Sequence, residues 1–266
     1  MKNTADHFEK NRKAWNKKTD IHIHSEFYDN ENFIKGKSSL KHIETKLLGD
    51  INGKSILHLQ CHFGQDTISL ARAGAEVTGV DFSDNAVRKA EELSEATKTS
   101  AEFICSGIYE LKQKLDRKFD IVYTSYGVIG WLPDLGKWAE IISHFLKPEG
   151  KFVMVEFHQM LWMFDDDFKY FKYDYFNKGE IEETVKGTYA DRKAAISYEF
   201  VNWNHSLSEV INNLIKNGLT INSFEEYDYS VYDCFNNAEE FEPGKFRVKD
   251  IKISIPMMFS LTAGKI

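Results

Sequence analysis

Two short stretches of the chain combine residue types that could hold a nucleoside. The loop from Gln60 to Gly64 follows a strand-like run and leads into a helical pattern. Such a turn presents backbone N–H groups and a helix N-terminus to a ligand. Asp81 ends the next strand-like run, where a carboxylate can accept hydrogen bonds from both hydroxyls of a ribose. Together they predict a nucleoside site, although Asp81 alone could also be a helix-start charge beside Ser83.

The first of these loops is poor in glycine. Gln60 and His62 stand where a Gly-x-Gly-x-x-Gly fingerprint has glycine, and Gly64 remains. In that fingerprint the glycines let the backbone approach a pyrophosphate closely. A dinucleotide-dependent oxidoreductase is therefore a less favoured interpretation of the nucleoside site. A non-catalytic nucleoside-binding protein is a second alternative interpretation.

Strands that alternate with helices must position these loops. Helical patterns cover 67–73, 84–96 and 137–146, and strand-like runs cover 55–59, 76–81, 102–105, 119–125 and 151–157. This alternation is typical of βαβ units in a parallel sheet with helices on both faces. The ligand crevice of such a sheet lies at the carboxyl ends of its strands, so the loops there should face one site.

Four motifs occur in a fixed order along this region. They are Leu57-His58-Leu59-Gln60-Cys61-His62-Phe63-Gly64, Val80-Asp81-Phe82-Ser83, Phe119-Asp120-Ile121-Val122 and Leu146-Lys147-Pro148-Glu149-Gly150. The set resembles the ordered motifs of class I S-adenosylmethionine-dependent methyltransferases of the small-molecule type. The resemblance covers residues 55–157, and 206–262 fit the same fold. It implies an α/β, Rossmann-like, seven-stranded and mostly parallel sheet with an antiparallel last strand.

The resemblance also implies a cofactor, S-adenosylmethionine, and roles for individual residues. Asp81 should bind the ribose, Phe82 should lie along the adenine, and Ser125 with Tyr126 should sit beside the sulfonium and the substrate. The family usually has an acid where His58 stands, so Gln65 and Asp66 become candidates for the methionine end. The implied cofactor-binding residues are Gln60, Cys61, His62, Gly64, Gln65, Asp66, Asp81, Phe82, Ser83, Gly107, Ile108, Ser125 and Tyr126.

Methyl transfer from a sulfonium is a displacement that the protein mainly aligns, and a base helps when the acceptor must lose a proton. The candidate catalytic residues are His158, Glu156 and Tyr126. Glu156 and His158 share one face of the fifth strand if that strand stays regular to its end. No third ligand accompanies the pair, so we assign no metal.

Aromatic residues make up 14% of the chain and are dense in the N-terminal segment and in 162–203. Aromatic faces bind apolar or cationic groups. These segments should cover the site, which suggests a small, enclosed acceptor that is partly apolar or cationic. The candidate substrate-binding residues are Tyr28, Trp131, Trp162, Trp203 and His205.

The length allows one large domain, or one domain with a small subdomain, and the resemblance implies a single methyltransferase domain over 1–266. Its parts are an N-terminal helical lid (1–50), the cofactor-binding core (51–160), an inserted aromatic-rich cap (161–205) and the C-terminal part of the sheet (206–266).

The totals also limit the partners. A net charge of −7 disfavours nucleic acid, which needs clustered Lys and Arg. No apolar window reaches membrane-spanning length and the start of the chain does not look like a secretory signal, so we expect no membrane partner. Three scattered cysteines are interpreted as reduced thiols of a cytoplasmic protein.

Overall fold

Eleven strands and seven helices make up residues 4–265, which are the residues that the computed structural model describes. Residues 1–3 and 266, at the two ends of the predicted domain, lie outside the described residues. The helices are α1 (Thr4–His22), α2 (Asn30–Ile34), α3 (His42–Leu48), α4 (Gln65–Arg72), α5 (Asp84–Thr97), α6 (Leu135–Phe145) and α7 (Leu207–Lys216). The strands are β1 (Ser55–Leu59), β2 (Glu76–Asp81), β3 (Glu102–Cys105), β4 (Phe119–Ser125), β5 (Leu146–Phe157), β6 (Ile181–Lys186), β7 (Ser197–Asn202), β8 (Leu219–Tyr227), β9 (Ala238–Glu242), β10 (Lys245–Val248) and β11 (Met258–Lys265).

Seven of these strands form one sheet in the order β3-β2-β1-β4-β5-β11-β8. Strands β1 to β5 pair in parallel, and β11 runs antiparallel between β5 and β8. The central strands are almost continuously buried because helices cover both faces of a parallel sheet. The predicted seven-stranded sheet with an antiparallel last strand is therefore confirmed.

Short polar caps set where the helices begin. The Ser83 hydroxyl accepts a hydrogen bond from the Ala86 N–H (3.0 Å) at the start of α5. Ser206 caps α7 in the same way, through the Glu209 N–H at 3.1 Å. Asp134 accepts from the Lys137 N–H (3.0 Å), so α6 begins two residues earlier than predicted.

Two segments outside the sheet contact each other above it. The side-chain amide of Asn11 on α1 pairs with the backbone of Val201 on β7, donating to its C=O at 2.7 Å and accepting from its N–H at 2.8 Å. Strands β6 and β7 form an antiparallel pair. The hairpin of β9 and β10 was not predicted. Within residues 4–265, every helix is too short or too polar to cross a membrane.

Candidate functional site

A cavity of about 800 Å³ lies at the carboxyl ends of β1, β2, β4 and β5. This is the edge at which ligands bind in parallel α/β sheets. The N-terminal segment and the insertion between β5 and α7 supply much of its aromatic wall, including Trp15, Tyr28, Trp162, Tyr189 and Phe200. The surplus of aromatic residues therefore lines an enclosed space above the sheet.

The loop after β1 has positive φ angles at two positions where the fingerprint has glycine. Gln60 and His62 adopt left-handed conformations, with φ of 57° and 52°. Such a conformation costs a non-glycine residue about 1–2 kcal/mol. Gly64 also has a positive φ of 81°, and a Cβ there would lie 2.7 Å from Cε1 of Phe103. The loop therefore retains the shape of the fingerprint turn although two positions carry side chains.

Asp81 ends β2 and lines the cavity with a carboxylate that is only 7% exposed. One oxygen accepts from the His62 N–H and the other from the Ser83 N–H, both at 2.9 Å. Burial raises the pKa of Asp81 to about 6, against the lowering effect of these bonds. A carboxylate offers about four acceptor sites, so Asp81 can still accept bonds from a ligand.

Two glutamines of the same region have different partners. Gln60 donates from Nε2 to the C=O of Val128 (2.9 Å), while its buried Oε1 has no hydrogen-bond partner in the described part of the chain. Gln65 donates to the C=O of Tyr28 (2.8 Å) and to Oδ1 of Asn30 (2.7 Å). Gln60 therefore leaves an acceptor open for a ligand, whereas Gln65 ties the loop to the N-terminal segment.

Tyr126 at the end of β4 is held by an acid that sequence reasoning missed. Its hydroxyl donates to Oε2 of Glu44 (2.6 Å), a completely buried side chain on α3. Burial, and then the charge of Asp66, raise the pKa of Glu44 to about 7. Glu44 also accepts from the Lys41 N–H at the helix start, so its sequence context is that of an ordinary capping residue.

Asp66 lies beside this pair and lines the cavity. It accepts hydrogen bonds from the hydroxyls of Ser39 (2.5 Å) and Ser125 (3.4 Å). The structure thus brings Asp66, Ser125 and Tyr126 together, as the sequence predicts.

Glu156 is completely buried at the end of β5 and is engaged by backbone N–H groups. Oε1 accepts from Gly127 and from Phe157 (2.6 Å), and Oε2 accepts from Val128 (2.8 Å) and Ile129 (3.3 Å). These contacts favour a positioning role, in which Glu156 fixes the loop after β4, over the predicted role as a base.

His158 and His205 do not line the cavity, unlike the third candidate histidine, His62. Because β5 ends at Phe157, His158 turns away to pair with Oε1 of Glu226 (2.9 Å) and does not join Glu156 there. His205 is completely buried and contacts the C=O of Leu132 (2.8 Å) through Nε2.

The other predicted residues also fall into two groups, those outside the cavity lining and those within it. Three more predicted residues lie outside the cavity lining. Ser83 serves as a helix cap, and Gly107 and Ile108 lie beyond β3. The cavity brings together Gln60, Cys61, His62, Gly64, Gln65, Asp66, Asp81, Phe82, Ser125 and Tyr126, with Tyr28, Trp131, Trp162 and Trp203 from the predicted substrate set.

Lys18 lines the cavity and was also missed by sequence reasoning. Its place in a strongly charged helix gives little sign that it is buried, although Trp15 precedes it at helical spacing. Across residues 4–265, no group of three or more His, Cys, Asp or Glu side chains is placed to hold a metal ion.

The central part of the chain is similar to known sequences. Residues 56–150 match the sequence model of the methyltransferase domain family. A ubiquinone biosynthesis O-methyltransferase of Coxiella burnetii is 31% identical over 42% of this chain and 46% of its own length. A demethylmenaquinone methyltransferase of Lactococcus lactis is 34% identical over 48% of this chain and 52% of its own length. This chain thus spans about half the length of these curated relatives.

Solved structures show the same fold over a larger part of the chain. An S-adenosylmethionine-dependent methyltransferase from Clostridium acetobutylicum matches with a TM-score of 0.58 and 15% identity, covering 92% of this chain and 94% of that one. One from Mesorhizobium loti matches with a TM-score of 0.55 and 17% identity, covering 87% and 100%. At these identities the comparison shows the fold.

Proposed function

We propose that the protein transfers a methyl group from S-adenosylmethionine to a small-molecule acceptor, because residues 56–150 match the sequence model of the methyltransferase domain family. The observation that carries the proposal is the buried carboxylate of Asp81. It lines the cavity and keeps acceptor capacity for the two hydroxyls of a ribose.

The residues of the cavity fit this cofactor. Asp81 would hold the ribose, and Phe82 offers an aromatic face beside it. The unpartnered Oε1 of Gln60 suits the ammonium of the methionine end, because a buried acceptor without a donor is costly. When bound, S-adenosylmethionine supplies an electrophilic methyl group on a sulfonium.

The chain's own residues would then align the acceptor and exclude water. Alignment is a large part of the catalysis of a displacement reaction. Tyr126 lines the cavity with its hydroxyl fixed by Glu44, and Glu156 fixes the loop that follows. We propose Tyr126 as the residue beside the reacting groups, and Glu44 and Glu156 as positioning residues.

The acceptor is proposed as a small molecule enclosed by the aromatic wall. A further relative is named a phosphoethanolamine N-methyltransferase (Triticum aestivum, 30% identical over 42% of this chain and 24% of its own length), so the acceptor atoms in the relatives' names differ. The net charge of −7 disfavours a nucleic-acid acceptor. The three cysteines are unpaired, which supports a location in the cytoplasm.

Calorimetry with S-adenosylmethionine and its demethylated product tests the proposal. Asp81→Ala should weaken binding of either ligand about 100-fold, since charge-assisted hydrogen bonds contribute about 1.5–3 kcal/mol each. Asp116→Asn, which changes an exposed aspartate before β4, should leave binding unchanged. Absence of binding to the wild-type protein, or a melting shift with NAD alone, would contradict the proposal.

A further inference from the structure

The ammonium group of Lys18 lies among four aromatic rings at the cavity wall. The distances from Nζ to the ring centroids are 4.4 Å for Trp15, 4.8 Å for Trp131, 4.9 Å for Tyr198 and 5.6 Å for Phe200. The rings belong to α1, to the loop after β4 and to β7. Lys18 is 5% exposed, whereas its neighbour Lys17 is exposed. The fold therefore buries one particular lysine of a highly charged helix.

This ammonium has no anionic partner. In the stretch from 4 to 265, no carboxylate forms an ion pair with Nζ and no acceptor takes a hydrogen bond from it. The rings offset part of the desolvation, since a cation–π contact contributes about 0.5–2 kcal/mol. Burial nevertheless lowers the pKa of Lys18 to about 7. A negatively charged ligand would therefore stabilise the protonated form of Lys18 and raise its pKa again.

The other titratable groups around Lys18 do not supply that charge. They are His22 on α1, His62 in the loop after β1, and Tyr198 on β7. Burial, assisted by the charge of Lys18, lowers the pKa values of both histidines, and burial raises that of Tyr198 to about 12. All three side chains are therefore neutral near pH 7, so none of them supplies a negative charge to Lys18.

A second donor in the same place also lacks a partner. The indole Nε1 of Trp15 is buried and has no hydrogen-bond acceptor within the described residues. An unpaired buried donor costs about 1–3 kcal/mol, so a ligand with an oxygen acceptor would stabilise this arrangement as well. Trp15 and Lys18 both line the cavity, between the loop that holds His62 and the loop that holds Trp131.

We propose that Lys18 is the anion-binding residue of the acceptor site and that the methyl acceptor is an aromatic compound with an ionised oxygen, as in a phenolate or a carboxylate. This inference rests on the proposed methyl transfer. The proposal differs from the expectation of a cationic acceptor, because the aromatic rings that would bind a cation already surround the ammonium group of Lys18. The aromatic wall would pack against the acceptor's ring while Nζ binds its oxygen.

Binding of 4-nitrophenol to the full chain tests the proposal, because its ionised form is coloured. The titrations are made with and without the demethylated cofactor. The wild-type protein should bind the ionised dye about tenfold to 100-fold more tightly than Lys18→Met. The bound dye should also ionise about one to two pH units lower in the wild type than in the variant. Lys17→Met on the same helix is the matched control and should bind as the wild type does.

Benzoate and phenyltrimethylammonium complete the set of probes. Benzoate tests a carboxylate in place of a phenolate, and it gives a readout that needs no variant. At pH 8 its binding should take up a proton onto Lys18, seen by calorimetry as a heat that changes with the ionisation enthalpy of the buffer. Phenyltrimethylammonium has the ring without the anionic oxygen and should bind more weakly than either.

Several outcomes would overturn the inference. They are equal dye affinity in the wild type and Lys18→Met, absence of saturable dye binding, absence of proton uptake with benzoate, or tighter binding of the cation. If the demethylated cofactor fails to bind while the dye still depends on Lys18, the proposed function fails and the anion site stands. If the cofactor binds and the affinity for the dye does not depend on Lys18, the anion site fails and the proposed function stands.

Discussion

Gly64 offers a direct test of how the loop after β1 is built. It caps α4 with a φ of 81°, and an added Cβ would lie 2.7 Å from Cε1 of Phe103 and 2.9 Å from Cβ of Ala90. Gly64→Ala should therefore combine two costs. The left-handed conformation costs about 1–2 kcal/mol, and overpacking against the two neighbours costs about 1–3 kcal/mol. The free energy of unfolding should fall by about 2–5 kcal/mol.

A second glycine separates the two costs. Gly53 has a similar φ of 70°, but an added Cβ there would meet nothing within 4 Å. Gly53→Ala should lose about 1–2 kcal/mol, which is the conformational cost alone. Urea unfolding of both variants gives the steric cost as the difference between them. Calorimetry should show a weaker complex with the demethylated cofactor for Gly64→Ala and an unchanged one for Gly53→Ala.

Equal losses for the two variants would refute this reasoning. They would mean that Phe103 and Ala90 move aside freely and that only the backbone conformation requires glycine at position 64. A loss below about 1 kcal/mol for Gly64→Ala would be more serious, because it would contradict the left-handed conformation itself.

Two buried acids give further predictions. In the fold the pKa of Glu44 rises from 4.5 to about 7, so folding favours its neutral form. Its contribution is complete below pH 4.5 and is lost as the pH rises through 7. Relative to Glu44→Gln, the wild type should therefore lose about 3 kcal/mol between pH 4.5 and 8 in urea unfolding, and a constant difference would contradict this. Glu156→Gln should cost about 2–6 kcal/mol at neutral pH, because its amide nitrogen replaces an oxygen that accepts two backbone bonds. Faster amide exchange at Val128 and Ile129 should accompany that loss, and unchanged exchange would count against the positioning role.

The sheet could be predicted from the chain because its strands are short, apolar and separated by helices of ordinary length. The runs at 55–59, 76–81, 102–105 and 119–125 coincide with β1 to β4. The hairpin of β9 and β10 was missed because β9 is mostly exposed and rich in glutamate, so it lacks the alternation that marks a half-buried strand, and β10 has only four residues. The start of β5 was missed because Pro148 and Gly150 lie inside it and indicated a helix stop.

The site was predicted in part, and the errors share a physical cause. Residues that end a strand, such as Asp81 and Ser125, line the cavity because sheet topology fixes where strand ends meet. Residues from distant segments were not. Glu44 and Lys18 lie in polar helices whose burial depends on tertiary packing, and nothing in their local sequence distinguishes them from solvated charges.

Glu44 and Lys18, which sequence reasoning missed, indicate a different role for the N-terminal segment. A lid that only excluded water would need apolar side chains facing the cavity. This segment instead brings Glu44 to the hydroxyl of Tyr126, Tyr28 to the amide of Gln65, and Lys18 to the loop of Trp131. Burying Glu44 and Lys18 opposes folding, and such costs are typical of functional sites. The strand ends supply the proposed cofactor contacts, whereas α1 supplies Lys18 to the cavity wall and α3 supplies Glu44 to Tyr126. We therefore expect differences in acceptor between proteins of this fold to lie in segments outside the sheet.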